Sequence, residues 1–122
     1  MKPTILIVED NVIIAHHLKL LMTSVGFETF SLASGEEVDQ FVKNNKPDVI
    51  FMDIMLAGEM SGIDATKQLR THSEVPVIFM SALTDNESKV NLELISNIYS
   101  IQKPFDEVEI IKLTNSLTKV RH

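Results

Sequence analysis

The chain contains no cysteine. That excludes disulfides and thiolate-bound metal, and it leaves a reducing compartment allowed. Basic residues are also scarce: 11 Lys and Arg stand against 17 Asp and Glu, a formal net charge of −6 at pH 7. Phosphate backbones are bound by basic surfaces, so this balance speaks against nucleic acid as a direct partner. A solvated acidic surface accounts for the net charge itself. Long apolar runs are missing too. The first run follows Met1-Lys2-Pro3-Thr4 and stops at Glu9-Asp10, too short for a membrane span and without a signal-peptide cleavage pattern. The expectation is a cytoplasmic protein with no membrane partner. There is no repeat, low-complexity tract or linker. What is present is 122 residues, 44% of them hydrophobic, which reads as one domain over 1–122 with a single core.

Short apolar runs alternate with longer amphipathic stretches. Thr4–Val8 is β-branched and apolar on both faces, as a buried strand should be. Asn11 can cap a following helix in which Ile14, Leu18, Leu21, Met22 and Val25 fall at helical spacing, with Gly26 ending it. Residues 28–33 form a weaker strand candidate. Ser34-Gly35-Glu36-Glu37 fits a capping box, with Ser34 accepting from the Glu37 amide. Val38, Phe41 and Val42 then give a helical apolar face up to Asn44-Asn45-Lys46-Pro47. Residues 48–52 read as the most hydrophobic strand, 56–62 as a loop, and 63–71 as a helix with Ala65, Leu69 and Thr66 inward. Pro76 opens a strand over 77–80. Thr84-Asp85-Asn86 starts a helix with Val90, Leu94 and Ile95 on its apolar side, and 99–102 is a short strand. Asp106 can cap a last helix carrying Val108, Ile111, Leu113 and Leu117. Five strands and five helices in strict alternation imply a parallel sheet with helices on both faces.

Four of the apolar runs end on polar residues: Glu9-Asp10, Asp53, Ser81 and Lys103-Pro104. In a parallel sheet those endings share the carboxyl edge, where open α/β sheets bind ligands. Glu9-Asp10 has a plain alternative, an acidic pair favouring a helix N-terminus. Asp53 is harder to explain that way. Two carboxylates about 4 Å apart repel by roughly 4 kcal/mol at an effective dielectric of about 20, so cationic relief is expected. Lys103 is one source and a divalent ion another; three carboxylates and one lysine leave two negative charges, which one Mg²⁺ cancels. His16 and His17 are adjacent, not one helical turn apart, and cannot both face one zinc ion from that helix. Ser81 could simply cap the next turn. As a nucleophile it lacks a G-x-S-x-G elbow, and a hydroxyl donor to a phosphoryl oxygen fits better.

Glu9-Asp10, Asp53, Ser81-Ala82 and Lys103-Pro104-Phe105, in this order and spacing along nearly the whole chain, resemble the receiver domain of two-component response regulators. The resemblance implies a flavodoxin-like fold with sheet order 2-1-3-4-5. It implies that Asp53 accepts a phosphoryl group from a histidine kinase, a phosphotransfer protein or a small phosphodonor. It gives Glu9, Asp10, Asp53 and the Met55 carbonyl as ligands of Mg²⁺ (or Mn²⁺). Ser81, Ala82 and Lys103 would bind the phosphate, and Lys103–Pro104 would be a cis peptide. An output protein or domain would read the switched surface, built from the helix near Asp85, residues 99–102 and the last helix. A homodimer through that face is left open. Self-catalysed phosphorylation and slow dephosphorylation, not turnover, would be the activity.

The chain departs from the family pattern in three places. Ala57 stands where a proline is usual, and the loop glycine arrives one residue late, at Gly62, as in a subgroup with a longer loop. The aromatic switch position is Ser100, with the aromatic one residue earlier at Tyr99; strand alternation sends the two to opposite faces, so serine–aromatic coupling should be weak. Met55 and Leu83, where the family tunes water access, are apolar, which predicts slow dephosphorylation. Other readings fare worse. A haloacid-dehalogenase-type phosphohydrolase needs an Asp at Met55. A flavodoxin-like cofactor binder wants a Gly-rich first loop where Glu9-Asp10-Asn11 stands. A degenerate receiver would have lost part of the set.

Overall fold

The structure is a computed structural model describing residues 2–56, 58–81 and 95–119. Five strands, β1 (Thr4–Val8), β2 (Glu28–Leu32), β3 (Val49–Asp53), β4 (Val77–Ser81) and β5 (Ile98–Gln102), form one sheet. All are parallel, in the order β2-β1-β3-β4-β5 that the resemblance implies. The described helices are α1 (Val12–Ser24), α2 (Val38–Asn45), α3 (Gly62–Leu69) and α4 (Glu107–Lys119). The helix expected after Thr84, together with Ala82 and Leu83, lies outside the described residues. No described helix is long and apolar enough to cross a membrane.

The pleat divides each buried strand between two cores. Leu6, Val8, Ile50, Met52, Val77 and Phe79 meet Val38 and Val42 of α2 and Ile63, Ala65 and Leu69 of α3. On the other face Ile5, Ile7, Val49, Phe51, Ile78 and Met80 meet Leu18 and Met22 of α1 and Ile110 and Leu117 of α4. This two-sided burial is why β1, β3 and β4 read as continuous apolar runs. Each large side chain buried there contributes about 1.5–3 kcal/mol.

Local signals place most helix ends. The Asn11 carboxamide oxygen accepts from the amides of Ile13 (3.0 Å) and Ile14 (3.2 Å), and Asp106 does the same for Val108 (2.8 Å) and Glu109 (3.3 Å). Three expectations need correction. The Ser34 hydroxyl donates to the Glu37 carboxylate at 2.9 Å and caps no amide, because 35–37 is a 3-10 turn that brings the side chains together first. The capping box instead opens α3: Ser61 Oγ accepts from the Asp64 amide (3.1 Å), and Asp64 accepts from the Ser61 amide (3.3 Å). Val25 and Val108 point outward, the latter 60% exposed. Val25 is the C-cap of α1, already off the helical path. In α4 the buried row is Ile110, Thr114 and Leu117, at i, i+4 and i+7, which turns Val108 to the far side.

Candidate functional site

Parallel pairing brings the polar strand endings together. Val8 lies opposite Met52, Asp53 opposite Met80, and Ser81 opposite Gln102. The residues that follow β1 and β5 therefore emerge beside Asp53. The Lys103 amide extends the β4–β5 pairing by donating to the Ser81 carbonyl at 2.7 Å. The Lys103–Pro104 peptide is cis.

Lys103 Nζ sits between two buried carboxylates, 2.9 Å from Glu9 Oε1 and 3.3 Å from Asp53 Oδ1. Asp53 Oδ1 also accepts from the Met55 amide at 3.1 Å, and Glu9 Oε2 from the Asn11 amide at 3.2 Å. Glu9 and Asp53 are only 3% and 5% exposed, whereas Asp10 is exposed. Each of the three acids places an oxygen within 4.8 Å of the others. Around them lies an open cavity of about 260 Å³ lined also by Asn11, Ile14, Met55 and Lys103.

One lysine does not neutralise this cluster. Burial, then the hydrogen bond and charge of Asp53, push Glu9 from 4.5 up to about 7, against the opposing pull of Lys103 and the Asn11 amide. Burial alone would lower Lys103. Its bond to Glu9 and the charge of Asp53 outweigh that and hold it above its ordinary value. The ammonium therefore stays charged, and below about pH 7 Glu9 relieves the excess negative charge by holding a proton. A hard divalent cation suits such a site: all donors are carboxylate oxygens, the charge is in excess, and the mouth is open to water.

The remaining predicted residues are placed as follows. Ser81 is buried at the end of β4. Met55 is 65% exposed at the rim. Tyr99 packs with Ile78 and Ile101 on the α1/α4 side of the sheet, and its hydroxyl donates to Asn97 Oδ1 at 3.2 Å. Ser81 lies two residues beyond Phe79 and so shares its α2/α3 face, opposite to that of Tyr99. Ser100 is exposed. His17 pairs with Glu107 at 2.9 Å and leans on Phe105, and it is not among the acids of the cluster.

Sequence reading identified Gly62 as the late loop glycine but not the steric reason for it. A Cβ there would lie 2.1 Å from the Asp53 carbonyl oxygen, so only glycine lets α3 start against the end of β3. Its φ is not positive, so no turn signal marked it. The Glu9–Asn11 contact was likewise invisible before Glu9 was known to point inward.

Comparison with known proteins gives one consistent picture. Residues 5–115 match the model of the response regulator receiver domain. The DNA-binding response regulator MtrA of Mycobacterium tuberculosis is 35% identical over 112 residues, which span 91% of this chain and 48% of that protein. The sensory transduction protein RegX3 of Mycolicibacterium smegmatis is 38% identical over 109 residues, spanning 88% and 47%. The chain thus spans about half the length of the curated relatives it matches. Among solved structures, the receiver domain of the Francisella response regulator 1452 superposes with a TM-score of 0.87 at 32% identity, covering 99% of this chain and 100% of that one. A signal receiver domain of a histidine kinase from Syntrophus aciditrophicus gives 0.88 at 29% identity, covering 98% and 92%.

Proposed function

This chain belongs to the response regulator receiver domain family, and we propose that Asp53 is the residue on which it accepts a phosphoryl group. The observation that carries the proposal is the meeting of Glu9, Asp10 and Asp53 with Lys103 in one cavity at the carboxyl edge of the sheet. A carboxylate oxygen of Asp53 attacks the phosphorus of a phosphohistidine on a sensor kinase or phosphotransfer protein. The P–N bond breaks, its electron pair returns to the imidazole, and an acyl phosphate remains on Asp53.

The chain's own residues do the positioning that such a transfer requires. Glu9, Asp10, Asp53 and the Met55 carbonyl would hold Mg²⁺ or Mn²⁺, which when bound neutralises charge on the phosphoryl oxygens. Lys103 supplies a fixed positive charge beside Asp53, and Ser81 a hydroxyl donor. The Met55 amide, already bonded to Asp53 Oδ1, keeps the carboxylate turned toward the cavity. Small phosphodonors can replace the protein donor, and the outcome is a switched surface, not product turnover.

The test is mass spectrometry after incubation with a small phosphodonor and Mg²⁺. Wild type should gain one phosphate and Asp53→Ala none; equal labelling of both would defeat the assignment. The label should persist well beyond seconds in Mg²⁺, because neither Met55 nor Leu83 can orient an attacking water. Loss within seconds would contradict that. Since Tyr99 faces away from Ser81, its readout should also be weak. Tyr99 is the single tyrosine and there is no tryptophan, so intrinsic fluorescence reports on it alone and should not change on phosphorylation.

A further inference from the structure

We infer that Glu36, in the turn between β2 and α2, is a positioning residue for the loop that follows Asp53; the inference rests on reading the acidic pocket as a Mg²⁺ site. The loop is closed at both ends by local bonds. Met55 N–H donates to Asp53 Oδ1 at 3.1 Å, and Gly62 N–H donates to the Ile54 carbonyl at 3.0 Å. Between those ends it leans on a distant part of the chain. Glu36 Oε1 accepts from the Met60 amide at 3.0 Å, across 24 residues of sequence. A Cβ on Gly58 would lie 3.5 and 3.8 Å from the two Glu36 oxygens, so the carboxylate covers that glycine at contact distance.

The neighbouring Gly35 completes the fit. A Cβ there would stand 3.0 Å from the Met60 carbonyl oxygen and 3.4 Å from the Met60 Cβ. Turn and loop thus meet backbone to backbone, and Glu36 closes the seam with a charge-assisted bond. Met60 is itself packed against the α2/α3 core. The clamp therefore joins the rim of the acidic pocket to the edge of the sheet opposite Lys103. Glu36 lies outside the acidic cluster, so its influence passes through the loop that carries the Met55 carbonyl.

The experiment compares wild type, Glu36→Ala and Glu36→Gln by calorimetric titration with Mg²⁺, with Asp10→Ala as the variant that removes a ligand. Glu36→Ala should weaken Mg²⁺ binding by about three- to tenfold, the range for losing one such bond. Glu36→Gln keeps an acceptor oxygen without the charge and should stay within about twofold of wild type. Melting temperatures in EDTA should fall by no more than a few degrees in Glu36→Ala, since the bond is exposed. Unchanged affinity in Glu36→Ala, or an affinity loss in Glu36→Gln equal to that in Glu36→Ala, overturns the proposal. Amide exchange at Met60 in the metal-free protein separates it from the Mg²⁺ reading. The clamp predicts faster exchange in Glu36→Ala than in wild type, and equal rates refute it even if wild type binds Mg²⁺. A wild type that binds no Mg²⁺ defeats the metal reading and with it the positioning role, whatever Met60 shows.

Discussion

Burial and the Asp53 carboxyl push Glu9 up to about 7, so at neutral pH and below the metal-free pocket holds a proton that a divalent cation must displace. Mg²⁺ affinity should therefore fall by up to about tenfold per pH unit below 7 and level off above it. Calorimetric titrations between pH 5.5 and 8 check this, and a flat profile counts against a protonated Glu9. The residue types at the site were legible in the sequence, since Glu9, Asp10, Asp53 and Lys103 each follow an apolar run. Their inequality was not. Asp10 is exposed and Glu9 is buried although the two are adjacent. Only the packing around β1 turns one inward to meet Lys103, 94 residues away.

At the scale of elements, the two serines that begin helical segments make a direct comparison. Ser61 closes a reciprocal capping box on α3, the helix that starts against Asp53, whereas Ser34 bonds a side chain and caps no amide. Ser61→Ala should cost about 1 kcal/mol of unfolding free energy, and Ser34→Ala no more than about 0.5 kcal/mol. Urea denaturation measures both, and a larger loss at Ser34 would reverse the assignment. Both sequences fit the same template, Ser-x-x-acid. What separates them is the backbone after each: a 3-10 turn at 35–37 and an α-helix from Gly62. In α4 the template also held only in part. The period was visible, but its phase was set by packing in the core that Ile5, Ile7, Phe51 and Met80 line, which selects Ile110 and Leu117 and leaves Val108 exposed.

For the molecule as a whole, the acidic pocket is a local cost to folding. Glu9 binds its proton more tightly folded than unfolded. Its contribution to stability is thus fully present below about 4.5 and is lost as pH rises through about 7. The metal-free protein should lose stability across that window, and Mg²⁺ should restore it most strongly at the alkaline end. Thermal melts with EDTA and with Mg²⁺ from pH 4.5 to 8 check this; an EDTA curve rising toward pH 7 would contradict it. The class of fold, the strand order and the family were legible in the chain itself. Hydrophobic runs with polar endings, caps and glycines act over a few residues and give the alternating parallel class, while the strand order follows from the family resemblance that Glu9-Asp10, Asp53, Ser81 and Lys103-Pro104 carry. The tertiary structure alone decided that Gly62 must be bare beside the Asp53 carbonyl and that Glu36 reaches Met60. Those outcomes depend on distances between segments remote in sequence, which only the closed packing of helices on the sheet brings into contact.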